Sequence, residues 1–124
     1  MDVDISVKID NQRLVINAFG VIADHKGHER LTTQLFHEIK KHGIDRIMID
    51  VSNIEFPTSL EFHNNIVDFY VKEMPAEMKR WKIAVVDESN YRVFGYYWEF
   101  LANEQGFLNF KVFASVKDAD EYLA

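Results

Sequence analysis

The sequence predicts an α/β domain whose helices pack on a mixed, mostly parallel sheet of five strands. After an opening pair of strand-like segments, strand and helix patterns alternate in the order β-β-α-β-α-β-α-β-α. Repeated β-α units are typical of parallel sheets covered by helices. The third predicted strand, residues 44–51, is almost continuously apolar, which favours a strand covered on both faces. The chain of 124 residues has the size of one domain, so we expect residues 1–124 to form a single unit.

The first two predicted strands form a hairpin. Residues 5–9 alternate apolar and polar side chains, which is the pattern of a half-buried strand. Residues 10–12 have turn-forming side chains, and residues 14–19 form a second strand that ends at Gly20. Because so short a connection can join only antiparallel strands, this is the one antiparallel pair that the connection lengths require.

Apolar residues at helical spacing predict four helices. The first follows Asp24, a favourable N-cap residue, and ends near His42, just before a glycine suited to the left-handed conformation, Gly43. Ser115 is a similar N-cap residue for the last helix, residues 116–123. The other predicted elements are helix 58–74, strand 81–86, helix 90–104 and strand 107–113.

The composition excludes several classes of function. The formal net charge is −6, whereas a nucleic-acid partner requires a basic face, so we expect no nucleic acid. The absence of cysteine excludes disulfides, thiol nucleophiles and thiolate metal sites. The N-terminal residues are acidic and no apolar run could span a membrane, so we expect a cytoplasmic protein with no membrane span. No phosphate loop, dinucleotide fingerprint or metal motif occurs, and we expect no cofactor and no metal.

Three segments together resemble one known family. They are residues 14–20, a strand closed by a glycine; residues 49–56, with the sequence Ile-Asp-Val-Ser-Asn-Ile-Glu-Phe; and residues 112–123, a strand followed by a short helix. In this order they resemble the second strand, the strand and loop before the second helix, and the closing strand and helix of the STAS domain, the family named for sulfate transporters and anti-sigma factor antagonists. The resemblance implies a STAS-like α/β fold and a regulatory role through protein partners.

The chain departs from the family pattern where the second helix begins. In members that antagonise anti-sigma factors, an Asp-Ser-x-Gly-Leu segment carries the serine or threonine that the partner kinase phosphorylates. Here the sequence is Phe56-Pro57-Thr58-Ser59-Leu60, which lacks both the Asp and the Gly. Thr58 and Ser59 are the candidate phosphorylation residues, but the departure predicts that the standard phospho-switch is missing. With this departure, the sequence resembles a divergent branch of sporulation-antagonist-like proteins that share features with lipid-binding Sec14-type domains.

The same residues fit a structural role. Thr58 and Glu61 match a capping box, in which Thr58 would accept from the Glu61 backbone N–H and the Glu61 carboxylate would bind the Thr58 N–H. Alternatively, a phosphate on Thr58 or Ser59 would be favoured by the free N–H groups of the helix N-terminus. Glu55 and Glu61 would oppose that phosphate by charge repulsion. The sequence leaves both roles open.

Acidic residues near two strand ends form a further candidate site. Asp50 lies near the end of the third predicted strand, and Asp87 and Glu88 follow the fourth. Ligand-binding clefts commonly lie at the carboxyl ends of parallel strands, and carboxylates there can bind a cation or act as acid and base. The structural alternative is that Asp50 and Ser52 make turn hydrogen bonds to nearby backbone N–H groups.

Two histidines one turn apart, His25 and His28, could present paired imidazoles at the start of the first helix. Zinc sites usually need three or four protein ligands at set spacing, and no further ligand completes this pair. We therefore expect both histidines to face solvent.

Helix 90–104 carries more apolar surface than one core stripe needs. Its aromatic residues are Tyr91, Phe94, Tyr96, Tyr97, Trp98 and Phe100. The apolar positions cover roughly 220° of the helix circumference. Helix 58–74 shows a similar excess through Phe62, Ile66 and Phe69. Three explanations remain open: a thick core, a homodimer or partner face, and a pocket for a small apolar ligand.

These patterns lead to one functional hypothesis and one alternative. The first is a non-enzymatic cytoplasmic regulatory module that binds a protein partner or a second copy through helices 58–74 and 90–104. The alternative is a carrier for a lipid or another small apolar molecule. The residues assigned to the interaction or ligand face are Phe62, Ile66, Phe69, Tyr97 and Trp98.

Overall fold

The structure, a computed structural model, describes residues 3–73, 76–89 and 92–124. Its strands are β1 (Val3–Asp10), β2 (Arg13–Val21), β3 (Arg46–Glu55), β4 (Lys82–Val86) and β5 (Phe110–Phe113). Its α-helices are α1 (His25–His42), α2 (Leu60–Glu73), α3 (Arg92–Glu104) and α4 (Val116–Leu123), and a 3-10 helix spans Ala76–Arg80 between α2 and β4.

The five strands form one mixed sheet in the order β1-β2-β3-β4-β5. β1 and β2 are antiparallel, and the other three neighbouring pairs are parallel. In the central strand β3, Ile49 lies between Ile16 of β2 and Val85 of β4. The predicted α/β class, the order of the elements and the single antiparallel pair are confirmed.

The sheet is covered on both faces, because successive side chains of a strand point to opposite sides. On one side Ile47 and Ile83 join a large core with the apolar residues of α1, α2 and α3. On the other side Met48 and Val86 form a smaller core with Leu123 of α4. The placement of α1–α3 on one face follows from right-handed crossovers between parallel strands that advance in one direction across the sheet.

Three predicted helix ends are confirmed by their capping contacts. The Asp24 carboxylate accepts a hydrogen bond from the Gly27 N–H at 2.9 Å, and Gly43 ends α1 with φ of 64° in the left-handed region. The Ser115 hydroxyl accepts from the Asp118 N–H at 3.2 Å at the start of α4. Local side-chain chemistry therefore determines these ends.

The end of β3 and the start of β5 are among the element boundaries that differ from the sequence prediction. β3 continues to Glu55 rather than ending at residue 51, since its last residues pair with β2, where Ile54 lies opposite Gly20. β5 begins at Phe110 rather than at residue 107, although Phe107 is buried in the core. The predicted helix end at Met74, the helix start at Asn90 and the aromatic residue Tyr91 lie outside the described residues.

Within the described part of the chain, none of the helices combines the length and the apolar character needed to cross a membrane.

Candidate functional site

An aromatic cluster joins the N-terminal ends of α1, α2 and α3 on the three-helix face of the sheet. Phe56, which follows β3, contacts Trp98 of α3 edge-on at 5.2 Å between ring centroids. His63 of α2 stacks on Phe94 of α3 at 4.1 Å. The ring centroid of His28 in α1 lies 6.2 Å from that of Trp98. This cluster therefore holds the three helices together at one end of the core.

The two ring nitrogens of His63 both have partners. The residue is completely buried. Its Nδ1 accepts from the Trp98 indole N–H at 3.0 Å, so Nε2 carries the proton and donates to the Pro57 carbonyl at 2.7 Å. Burial lowers the pKa of His63, although the bond to Pro57 acts in the opposite direction. His63 is thus a neutral, doubly bonded core histidine, and neither nitrogen is available to act as a base.

The expectation that both histidines at the start of α1 face solvent is right for His25 and wrong for His28. His28 is only 3% exposed, with Nδ1 at 3.3 Å from the Thr32 hydroxyl. Burial, and to a smaller extent the nearby His63 and His25, lower the pKa of His28 to about 3. The signal was present in the sequence, because His28 lies one turn before Leu31 on the apolar stripe of α1.

The aspartates predicted at strand ends are used in structural hydrogen bonds. Asp50 lies within β3 rather than at its end, and its carboxylate accepts from the Ser52 N–H at 2.9 Å. The Ser52 hydroxyl in turn accepts from the Glu88 N–H at 3.0 Å. The buried carboxylate of Asp87 accepts from the Ser89 N–H at 2.8 Å. The described residues contain no group of three or more acidic or histidine side chains that could hold a metal.

The start of α2 is capped one residue later than the sequence predicted. The Ser59 hydroxyl accepts from the Phe62 N–H at 3.3 Å, and the Ser59 carbonyl accepts the first helical bond from the His63 N–H. Thr58 thus precedes the cap, and the capping box between Thr58 and Glu61 is wrong in register. Both hydroxyl residues are exposed. Their role as phosphorylation sites stays a prediction.

This register predicts which hydroxyl stabilises the fold. We expect Ser59→Ala to lower the free energy of unfolding by about 1 kcal/mol, because the substitution removes an N-cap acceptor. The matched change Thr58→Ala removes no cap, so we expect it to change the free energy of unfolding by less than about 0.5 kcal/mol. Urea unfolding of both variants measures the difference. A larger loss in Thr58→Ala than in Ser59→Ala would contradict the assignment.

An apolar cavity of about 70 Å³ lies between the sheet and α1–α3. Ile49, Val51, Ile83 and Val85 of β3 and β4 form its floor, and it ends at the aromatic cluster beside Trp98. Leu35, Ile66 and Ala102 cover it from the helices. It is small against the roughly 300–1,000 Å³ of most ligand pockets, so it can accept only a narrow group without widening.

The residues assigned to the interaction or ligand face do not form one surface. Phe62 and Ile66 are buried in the core, and Phe69 is half-buried. Tyr97 and Trp98 are half-buried, and the Tyr97 hydroxyl donates to the Asn64 side chain at 3.3 Å. Ile66 and Trp98 line the cavity.

The exposed apolar surface of α3 lies at other positions. Val93, Tyr96 and Phe100 are 64%, 46% and 59% exposed and recur at helical spacing, so they form a continuous stripe, here called the α3 stripe. In the neighbouring helix α2, Leu60 is also exposed. It lies one helical turn before Asn64. The roughly 220° of apolar circumference predicted that α3 would expose apolar residues. Which residues are exposed depends on the direction in which α3 faces the sheet.

Comparison with known proteins supports the fold. No protein-family model and no curated protein sequence matches the chain. An anti-sigma factor antagonist from Mycobacterium paratuberculosis has a TM-score of 0.63 at 15% identity, over 98% of this chain and 93% of its own. An uncharacterised protein from Shewanella loihica with a SpoIIAA-like fold has a TM-score of 0.57 at 20% identity, over 99% and 94%.

Unphosphorylated SpoIIAA, also an anti-sigma factor antagonist, has a TM-score of 0.52 at 15% identity, over 95% of this chain and 94% of its own. The three structures match almost from end to end and at low identity. They show that the chain has a SpoIIAA-like fold, so the STAS resemblance is confirmed at the level of the fold.

Proposed function

We propose that this SpoIIAA-like domain is a non-enzymatic, cytoplasmic regulatory module that binds a protein partner through the α3 stripe. The observation that carries the proposal is the exposure of three large apolar side chains in a row, Val93, Tyr96 and Phe100. Fully burying one such side chain contributes roughly 1.5–3 kcal/mol, so a partner that covers all three gains several kcal/mol. Tyrosine and phenylalanine are also typical of the centres of protein interfaces.

The likeness to anti-sigma factor antagonists supports a regulatory role, because proteins of that name act on other proteins. The hydrogen bonds of the described residues support a role without catalysis. His63 has partners on both nitrogens, and the carboxylates of Asp50 and Asp87 accept from nearby backbone N–H groups. Since Thr58 and Ser59 lack the flanking Asp and Gly of the family pattern, the proposed module works without the standard phospho-switch.

Site-specific photo-crosslinking tests the interaction surface. Benzoylphenylalanine would replace Phe100 in one variant and Val116 in another, and the proteins would be irradiated in the host cells. Val116 is a matched control, because it is an exposed apolar residue of α4 on the opposite face of the sheet. We expect a discrete crosslinked species from position 100 only, and its loss when Val93→Ser is added. Equal crosslinking from both positions, or none from position 100, would contradict the proposal.

A second candidate function is supported by the cavity. Its lining is almost wholly apolar and includes Ile66 and Trp98, two of the residues assigned from the sequence to a ligand face. A void that persists in a core forfeits packing contacts and costs stability. We therefore also propose that the cavity accepts a small apolar group, as the carrier alternative requires.

A further inference from the structure

We infer that the cavity binds an unbranched aliphatic acid, with the carboxylate at Lys79 and the chain directed toward Trp98. This inference rests on the second proposed function, because it names the class of ligand that the cavity would take. It concerns the two ends of the cavity, which differ in exposure and in chemistry.

The cavity extends along the strands, from the C-terminal end of β3 to the N-terminal ends of β4 and β5. At one end, Trp98 and the buried His28 belong to the aromatic cluster beyond the C-terminal end of β3. At the other end lie Lys79, just before β4, and Asn109, just before β5. Four residue steps along a strand cover about 13 Å, so a cavity that follows β4 is long in comparison with its volume. This shape fits a linear chain better than a ring system.

Lys79 and Asn109 are the exposed residues among those that line the cavity, so the cavity meets solvent between them. The Lys79 ammonium lies 5.5 Å from the centroid of the Phe107 ring, which also lines the cavity. No carboxylate from residues 3–72, 76–89 or 92–124 forms an ion pair with Lys79. An ammonium beside an apolar opening favours an anion and disfavours a cation at that point.

The rest of the cavity selects against polar ligands. The wall between its two ends is made of side chains such as Ile39, Ile83 and Phe110. A hydroxyl or amide placed among them would lose its hydrogen bonds to water and find no partner. Each methylene that enters gains apolar burial instead. The ligand that matches one cation at the opening and an apolar interior is therefore an amphiphile with a single acidic end.

Calorimetric titration with three ligands of equal chain length tests the inference. Butanoate, butanol and butylamine, whose short chains suit a cavity of about 70 Å³, would be titrated into the folded chain at neutral pH. We expect butanoate to bind about three- to fivefold more tightly than butanol, the range of a partly exposed ion pair, and butylamine to bind most weakly. We expect Lys79→Gln to abolish the preference for butanoate, whereas Lys117→Gln on the opposite face of the sheet should retain it.

A cavity-filling variant controls for binding elsewhere. Ala102→Leu adds a branched side chain to the cavity wall on a helix that tolerates leucine, so the chain should fold and all three ligands should bind about tenfold more weakly or not at all. If the three ligands bind equally and Ala102→Leu removes this binding, the inferred preference for an acid is wrong, whereas the apolar carrier function stands. No binding, or binding that Ala102→Leu leaves unchanged, would overturn both. An equal loss of preference in Lys117→Gln would overturn the role of Lys79.

Discussion

Acidification from pH 6.5 toward pH 3 is expected to lower the free energy of unfolding by up to about 5 kcal/mol through His28 alone. The pKa of His28 is lowered from 6.5 to about 3 by burial and by the nearby His63 and His25. Because the unfolded chain binds the proton more tightly than the folded chain, the stabilising contribution is complete above pH 6.5. It is lost progressively as the pH falls toward 3. The lowered pKa of His63 acts in the same direction.

The measurement is urea unfolding at a series of pH values between 7 and 3. His28→Gln should flatten the dependence on pH, because glutamine does not titrate, even if the variant is less stable at pH 7. The matched control is His37→Gln, which replaces an exposed histidine of the same helix and should leave the slope unchanged. Parallel curves for the parent chain and His28→Gln would show that His28 is not the group responsible.

The second large effect is expected from His63→Leu, which should lower the free energy of unfolding by about 3 kcal/mol. The substitution replaces the imidazole with an apolar side chain of similar size. It leaves the Trp98 indole N–H and the Pro57 carbonyl without their partner. Each polar group left unsatisfied costs roughly 1–3 kcal/mol. Loss of the ring that stacks on Phe94 adds to this cost. Urea unfolding at pH 7, where His63 is neutral, gives the change directly.

A double-mutant cycle separates this hydrogen bond from general packing. His63→Leu and Trp98→Phe both remove the bond between Nδ1 and the indole N–H, so the second change should cost less once the first has been made. We expect a coupling free energy of about 1 kcal/mol. Strictly additive effects would mean that the bond contributes nothing measurable. His37→Leu serves as the exposed control and should change the free energy of unfolding by less than about 0.5 kcal/mol.

Much of the fold could be predicted because local chemistry determines it. Asp24, Gly43 and Ser115 mark helix ends through contacts within a few residues, and these ends are confirmed. The end of β3 could not be predicted, since residues after Val51 join the strand only by pairing with β2, which is distant in sequence. The cap of α2 was misplaced by one residue because Thr58 and Ser59 are adjacent hydroxyls with equal capping chemistry.

The candidate surfaces were predictable only in part. The excess of apolar residues in α3 was visible in the sequence, but the helix faces the sheet through Gly95, where an added Cβ would lie 3.0 Å from Cγ1 of Val112 in β5. That orientation turns Trp98 inward and leaves Tyr96 exposed. A pocket for a small apolar ligand was one of the explanations left open by the sequence, but its position and size could not be predicted, because they depend on how side chains from several elements leave space between them. Lys79 lies in a 3-10 helix that periodicity did not predict.

Native mass spectrometry of the chain purified gently from its host shows whether the α3 stripe binds a protein. We expect a species heavier than the chain by the mass of a second copy or of a defined partner protein. We also expect Val93→Ser combined with Phe100→Ser to remove this species while the circular dichroism spectrum remains that of the parent. A bare single chain in both samples, or a complex that the double variant leaves intact, would contradict binding through the α3 stripe.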